Sequence, residues 1–156
     1  MSNLKFHCTF ELNGKPMSEL RVGATRFAAF SGGGSGLNSR SSACSVNTGP
    51  IPPGRYYIFD RQSGGLLGQV KSYVTGRDEW FALHAVDAKI DDQMLCNQVS
   101  RGQFRLHPKG PLGISMGCIV LDKHIDFGAL RRLLTSVPPV SVPGSVMKAY
   151  GTVDVR

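Results

Sequence analysis

The sequence of 156 residues contains neither a long apolar run nor a cluster of basic residues. A membrane-spanning helix needs roughly 20 consecutive apolar residues, and no stretch approaches that length, so we expect no membrane span. The polar, alternating start, MSNLKFHCTFEL, lacks the apolar centre of a secretory signal. We therefore expect a protein made in the cytoplasm without a signal peptide, which needs another route if it acts elsewhere.

Clustered positive charge is missing, although the formal net charge is +7 and the pI is near 9.5. The longest purely basic pair is Arg131-Arg132, and aromatic residues make up only 8% of the chain. Surfaces that bind nucleic acid usually interleave basic and aromatic side chains, so nucleic acid is not an expected partner. The overall charge instead favours anionic polymers or surfaces in general.

The four cysteines lack the CxxC pairing of a structural zinc site, so no metal centre is predicted. If Cys118 stays free, the other three, Cys8, Cys44 and Cys96, form at most one disulfide, and which pair forms is open. The Gly/Ser-rich segment 31–49 also lacks the Gly-Lys-Ser/Thr of a phosphate-binding loop. We predict it to be a long loop, either a flexible surface loop or one that faces a substrate.

Strand signals dominate the chain. Nineteen glycines and nine prolines indicate many turns, and Asn13-Gly14 is a strong hairpin signal. Alternating apolar residues or β-prone composition predict strands at 4–12, 56–59, 68–74, 80–86, 104–107 and 147–155. Helical spacing predicts a helix at 126–134, and a further short helix fits within 87–98. We therefore expect a mainly β fold with one or two short helices, in a single domain over residues 1–156.

The segment RLHPKGPLGISMGCIVLD, residues 105–122, carries the strongest chemical signal, because His107 precedes Cys118 by eleven residues. A free thiol with a pKa of about 8.5 is mostly protonated at neutral pH, and a nearby imidazole can take its proton. A turn containing Ser115 and Gly117 would aim the N–H groups of Gly117 and Cys118 at a developing oxyanion. We predict Cys118 as nucleophile and His107 as base; core packing of the cysteine is the alternative.

Other polar residues receive more ordinary interpretations. Strand alternation places Arg105 on the face of His107, where it would either receive a substrate carboxylate or remain solvated. We interpret His84 as structural and predict two surface histidines, His7 and His124. Two aspartates near the predicted helix start are expected to be caps, Asp122 and Asp126.

The 105–120 motif resembles the active-site motif of the L,D-transpeptidase (YkuD-type) catalytic domain, in which a histidine and a Ser/Thr-x-Gly-Cys turn carry the chemistry. It is more similar to compact L,D-transpeptidase-like toxins delivered by type VI secretion. Those toxins share the His-Pro-x-Gly opening, Ser-x-Gly-Cys-Ile, and a GPIP-x-G-x-Tyr-x-Ile segment, present here as GPIPPGRYYI at 49–58. The resemblance covers about residues 27–134 and implies an L,D-transpeptidase-like β-sandwich or mixed sheets.

The resemblance implies acyl transfer on peptidoglycan tetrapeptide stems. Cys118 would expel the terminal D-alanine and form a thioester; water would complete an L,D-carboxypeptidase cycle, and a D-amino acid or another stem would complete exchange or cross-linking. Thiol acyl transfer needs no metal or organic cofactor. The implied role is a toxin acting in the periplasm of a target bacterium, with a secretion-apparatus component and a cognate immunity protein as partners.

Two positions depart from the larger family. Standard transpeptidases have histidine before the Gly-Cys pair and Arg or Asn two residues after the cysteine, whereas this chain has Met116 and Val120. These departures favour cleavage or exchange over routine cross-linking. The alternatives are a resident cell-wall L,D-transpeptidase and a non-catalytic peptidoglycan-binding protein. A third catalytic group is left open, since a backbone carbonyl could orient His107.

Overall fold

Eleven strands and one helix make up the regular structure of the described residues, which are 3–61, 79–110 and 116–156 of the computed structural model. The strands are β1 (Phe6–Phe10), β2 (Ser18–Val22), β3 (Thr25–Phe30), β4 (Gly54–Asp60), β5 (Phe81–Ala85), β6 (Gln93–Cys96), β7 (Val99–Gly102), β8 (Arg105–Pro108), β9 (Ile119–Leu121), β10 (Val140–Ser141) and β11 (Lys148–Val155). The helix α1 spans His124–Leu134, and two 3-10 turns span Gly34–Gly36 and Arg40–Ser42.

Eight strands form a sheet that closes on itself, in the order β1-β2-β3-β9-β8-β5-β4-β11. Strand β11 pairs in parallel with β1, from Phe6↔Gly151 to Phe10↔Val155, and this pairing closes the sheet. The short β10 adds to the edge of β11, and β6 and β7 form a separate hairpin. The mainly β prediction is confirmed, and the sheet is mixed because β8 and β9 also run parallel.

Apolar alternation explains which face of the sheet is buried. Residues such as Phe10, Leu20, Leu106 and Ile119 are at most 1% exposed and belong to one large hydrophobic cluster. Helix α1 adds its apolar stripe, Phe127, Leu130 and Leu134, to the same cluster. The opposite face of β4 and β5 carries a smaller apolar cluster that includes Tyr57, Phe59 and Ala82.

Several predicted boundaries need correction. The helix begins at His124, and Lys123 occupies the N-cap without a side-chain hydrogen bond, so the prediction of Asp122 and Asp126 as caps is wrong. Asp122 instead lies 3.5 Å from the ammonium group of Lys109. Asp126 lies in the first turn, where its charge favours the helix dipole.

The predicted short helix within 87–98 is also wrong, because β6 occupies this segment. Two aspartates accept hydrogen bonds from main-chain N–H groups two residues on, Asp87 from Lys89 and Asp91 from Gln93. Such local bonds favour turns over helix. The Asn13-Gly14 turn forms, with Gly14 at φ +68°, but β1 ends at Phe10 and β2 begins at Ser18, so the connection is longer than a tight hairpin.

Segment 31–49 is a packed loop with two 3-10 turns. Ser31 and Asn38 are fully buried, and the two residues exchange hydrogen bonds of 2.9 and 2.8 Å. A disulfide between Cys44 and Cys96 ties the loop to β6, which settles the pairing that the sequence left open. The predicted strand at 68–74 lies outside the described residues. No helix in the described ranges is long and apolar enough to cross a membrane.

Candidate active site

The parallel pair β8–β9 brings the two ends of the histidine-cysteine motif together. Its register pairs His107 with Val120 and Leu106 with Ile119, so the next step back places Cys118 beside Arg105. Because Leu106 and Ile119 are buried in the core, alternation turns His107 and Arg105 to the other face. The structure therefore places the candidate base on β8 and the candidate nucleophile immediately before the adjacent strand β9.

His107 is held in one orientation from two directions. Its ring stacks on Trp80, with centroids 4.1 Å apart and 17° between the planes. Its Nδ1 lies 2.7 Å from the carbonyl oxygen of Pro108. Because a carbonyl only accepts, Nδ1 carries the proton in that bond, and Nε2 is the basic nitrogen of the neutral ring. This orienting carbonyl belongs to the main chain, one of the options that the sequence left open.

Cys118 is not part of a disulfide and is partly buried. Burial raises its pKa above the ordinary value of 9.0; the main-chain N–H of Arg105, which donates to the sulfur, and the Arg105 charge act in the opposite direction. The nearby Asp92 carboxylate raises the pKa further. The thiol is therefore protonated at neutral pH, and its use as a nucleophile requires a base.

Gly117 has φ +99°, a conformation that side chains rarely adopt. An added Cβ would also lie 2.6 Å from Nη2 of Arg101 and 2.8 Å from Cε1 of Phe104. Glycine is thus required here both by backbone conformation and by the close approach of a buried guanidinium. Ser115, the other predicted residue of this turn, lies outside the described residues.

Arg105 lies next to Cys118, on the face that strand alternation predicted. Its guanidinium pairs with both carboxylate oxygens of Asp92, at 2.8 and 2.7 Å, so its two terminal nitrogens already serve an ion pair. Asp92 also lies 3.6 Å from Nε2 of His84. His84 is buried, as a structural residue should be, and burial lowers its pKa. His7 and His124 are exposed, as predicted.

Sequence reasoning missed Arg101, which lies on β7 and is only 4% exposed. Its Nη1 donates to the carbonyl oxygens of Ala43 and Pro50, and its Nη2 donates to that of Gly49. The residue therefore holds the end of loop 31–49 against β7. No local sequence pattern indicates this role, because the carbonyls lie more than fifty residues away along the chain.

A cavity of about 240 Å³ opens beside Cys118. Its described lining includes Val46 and Asn47 from loop 31–49, Arg101 and Gln103 from the hairpin region, and Met116. The loop therefore faces the candidate site, which agrees with the substrate-facing alternative. A larger cavity of about 430 Å³ lies near the β1–β2 turn, and its described lining contains neither histidine nor cysteine. The larger volume of this second cavity is therefore no reason to place the active site there.

Within the described ranges, no group of three or more His, Cys, Asp or Glu side chains is arranged to hold a metal ion. The fold and the site together define a mainly β protein with an oriented histidine on β8 and, immediately before the parallel strand β9, a cysteine that is not in a disulfide.

The family model of the Tlde1 domain matches residues 25–145, and the chain belongs to this family of type VI secretion L,D-transpeptidase effectors. Membership supports a toxin that acts on the cell wall. No curated protein and no solved structure matches the chain. The resemblance to YkuD-type domains remains a prediction.

Proposed function

We propose that this effector cleaves or exchanges the end of peptidoglycan tetrapeptide stems by acyl transfer to Cys118. The observation that carries the proposal is the placement of Cys118, immediately before β9, next to the adjacent strand β8, which carries the carbonyl-oriented His107. The cavity beside Cys118 offers a place for the end of a peptide. In this proposal, the whole chain acts as one catalytic domain.

The reaction begins when Nε2 of His107 takes the proton of the Cys118 thiol. The thiolate attacks the carbonyl at the L-centre of the diamino-acid residue, and the N–H groups of Gly117 and Cys118 stabilise the oxyanion. Collapse of the intermediate breaks the peptide bond, and the protonated His107 returns the proton to the leaving D-alanine amine. The product is a thioester on Cys118.

The acceptor determines the outcome. Water, activated by His107, hydrolyses the thioester and completes an L,D-carboxypeptidase cycle, whereas a free D-amino acid completes an exchange. Another stem peptide would complete a cross-link. The thioester is a sufficient intermediate for all three, so the proposal requires no metal or organic cofactor. Arg105, paired with Asp92, is proposed to tune the thiol and to contact the substrate.

The proposed setting follows from membership in an effector family. A secretion-apparatus component carries the protein into the periplasm of a target bacterium, where its substrate lies. A cognate immunity protein in the periplasm of the producing cell protects that cell. A resident cell-wall transpeptidase, the first alternative, would show the same chemistry but no toxicity. A non-catalytic binding protein, the second alternative, would show neither the chemistry nor the toxicity.

The direct test is the release of D-alanine from purified tetrapeptide muropeptides, followed by mass spectrometry. We expect Cys118→Ala to lower the rate at least about 1000-fold, because no other group supplies the nucleophile. Cys8→Ala is the matched control: Cys8 is also free, but burial raises its pKa to about 12 and the thiol is inert. Equal activity of Cys118→Ala and wild-type protein would remove Cys118 from the mechanism.

A further inference from the structure

Arg101 is a buried cation whose hydrogen bonds, among the described residues, go to main-chain carbonyls. It makes three such bonds, and no carboxylate of the described part of the chain lies within ion-pair distance of it. Its side chain also lies over the ring of Phe104, 5.4 Å from the centroid. Buried charges in proteins are usually paired with an opposite charge. The partners of Arg101 are neutral carbonyls, which do not cancel its positive charge, so this charge can still attract an anion.

This cation is placed beside the candidate nucleophile. Its Nη2 packs against Gly117, the residue immediately before Cys118, closely enough that a Cβ there would be 2.6 Å away. Arg101 and Cys118 also line the same cavity, and no acidic residue occurs in the described lining. An anionic group that enters this cavity therefore meets the fixed positive charge of Arg101, and the nearby Asp92, which is outside the described lining, is paired with Arg105.

We propose that Arg101 binds the C-terminal carboxylate of the stem peptide and thereby restricts the reaction to stems that end in a free carboxylate. The inference rests on the proposed function, because it places the leaving amino acid in the cavity beside Cys118. That amino acid carries its carboxylate only one residue beyond the attacked carbonyl. A planar guanidinium matches a carboxylate in geometry and charge.

Arg105 is the competing residue for this role. Both of its terminal nitrogens already bind the carboxylate of Asp92, and a substrate carboxylate would have to displace that partner. No carboxylate of the described residues binds Arg101, and its three carbonyl bonds fix the guanidinium in place before the substrate arrives. These bonds use three of the four N–H groups on its terminal nitrogens and leave one N–H of Nη2, the nitrogen beside Gly117, for the substrate. Preorganisation of this kind lowers the entropic cost of binding.

The test measures binding by the Cys118→Ala protein, so that it does not depend on turnover. The ligands are a tetrapeptide that ends in D-alanine and the same peptide that ends in D-alaninamide. They differ only in the terminal charge. Trp80, the one tryptophan of the chain, stacks on His107 and provides a fluorescence signal, with calorimetry as the second measurement. We expect the acid to bind about 10- to 100-fold more tightly than the amide.

The double variant Cys118→Ala/Arg101→Gln separates charge recognition from support of the loop. It should bind the acid and the amide equally, at about the affinity of the Cys118→Ala protein for the amide. Loss of loop support alone would weaken the binding of both peptides by the same factor and leave the ratio of the two affinities unchanged. Arg55→Gln, which removes an exposed arginine paired with Asp154, is the matched control and should keep the preference for the acid.

Two results would overturn the inference: equal binding of acid and amide by the Cys118→Ala protein, or a preference for the acid that survives Arg101→Gln. If Arg101→Gln does not fold, as judged by circular dichroism, Arg101→Lys replaces it, and the preference should fall because the paired donors are lost. Failure of the proposed function would be recognised separately, as absence of Cys118-dependent D-alanine release.

Discussion

At the scale of single residues, the thiol and the imidazole depend on each other. Burial keeps the pKa of Cys118 above its ordinary value, so the free protein does not hold a reactive thiolate. His107 is oriented by a carbonyl and by Trp80, and it presents Nε2 as a base. We therefore expect the Cys118 thiol to become a nucleophile only when His107 takes its proton during the reaction.

The first prediction concerns alkylation of the free protein by iodoacetamide. Only the thiolate reacts, so the rate at Cys118 should rise about tenfold per pH unit and continue to rise above pH 9, because the pKa of this thiol is raised above 9.0. Quantitative mass spectrometry of the Cys118 peptide measures the rate. A plateau reached below pH 7 would instead show a thiolate that exists before substrate binds.

A second residue-scale prediction concerns Gly117→Ala. The new methyl group would meet Arg101 and Phe104 in a backbone conformation that already disfavours alanine, so we expect a loss of about 2–4 kcal/mol in the free energy of unfolding. Gly23→Ala is the control, because Gly23 has φ +59° with open space around it and should cost only about 1 kcal/mol. Urea denaturation compares the two; equal losses would show that the close packing at Gly117 is unimportant.

At the scale of elements, the site depends on how loop 31–49 meets the β6–β7 hairpin. The Cys44–Cys96 disulfide joins loop to hairpin, and Arg101 joins them again through three carbonyls. Both walls of the cavity beside Cys118 come from these elements. The cavity should therefore lose its shape if the two elements separate.

The third prediction follows from this connection. The replacement of Cys44 and Cys96 by serine opens a closed loop with a sequence separation of 52, which should lower the free energy of unfolding by about 4 kcal/mol. Release of D-alanine should fall as well, because Val46 and Arg101 lose their fixed positions. Calorimetry and the muropeptide assay measure the two effects. Full activity at unchanged stability would show that the loop is held without the disulfide.

Local pattern predicted about half of the individual elements. Alternation predicted β1, β8 and β11, and helical spacing predicted most of α1, because each signal lies within a few neighbouring residues. The parallel pairing of β8 with β9, the β1–β11 closure and the carbonyl partners of Arg101 join residues far apart in sequence, which no local pattern encodes. Asp92, in the bend before β6, was missed for the same reason: its partner Arg105 lies thirteen residues away, on β8.

At the scale of the whole molecule, the closed sheet fixes the strands that carry the site. Parallel pairing of β1 with β11 joins the two ends of the described chain, and the order then runs through β3 and β9 to β8. His107 therefore lies within the continuous sheet, and Cys118 immediately precedes β9; β8 and β9 are each paired on both sides.

The fourth prediction concerns toxicity. A form fused to an export signal should harm a bacterial host, because peptidoglycan stems are reached from the periplasm, and the form without that signal should not. Growth of the host and the muropeptide profile of its cell wall are measured together. The exported Cys118→Ala protein should be harmless. Harmlessness of the exported wild-type protein, or equal harm from the Cys118→Ala form, would contradict the proposed effector role.

The proposed mechanism depends above all on one step, the formation of a thioester between Cys118 and the stem peptide. The most direct measurement is intact-protein and peptide mass spectrometry after rapid acid quenching of a reaction with tetrapeptide. We expect an adduct with the mass of the acyl tripeptide on Cys118, the appearance of free D-alanine, and neither product in Cys118→Ala. Release of D-alanine by the Cys118→Ala protein, or an acyl adduct on a different residue, would rule out Cys118 as the nucleophile.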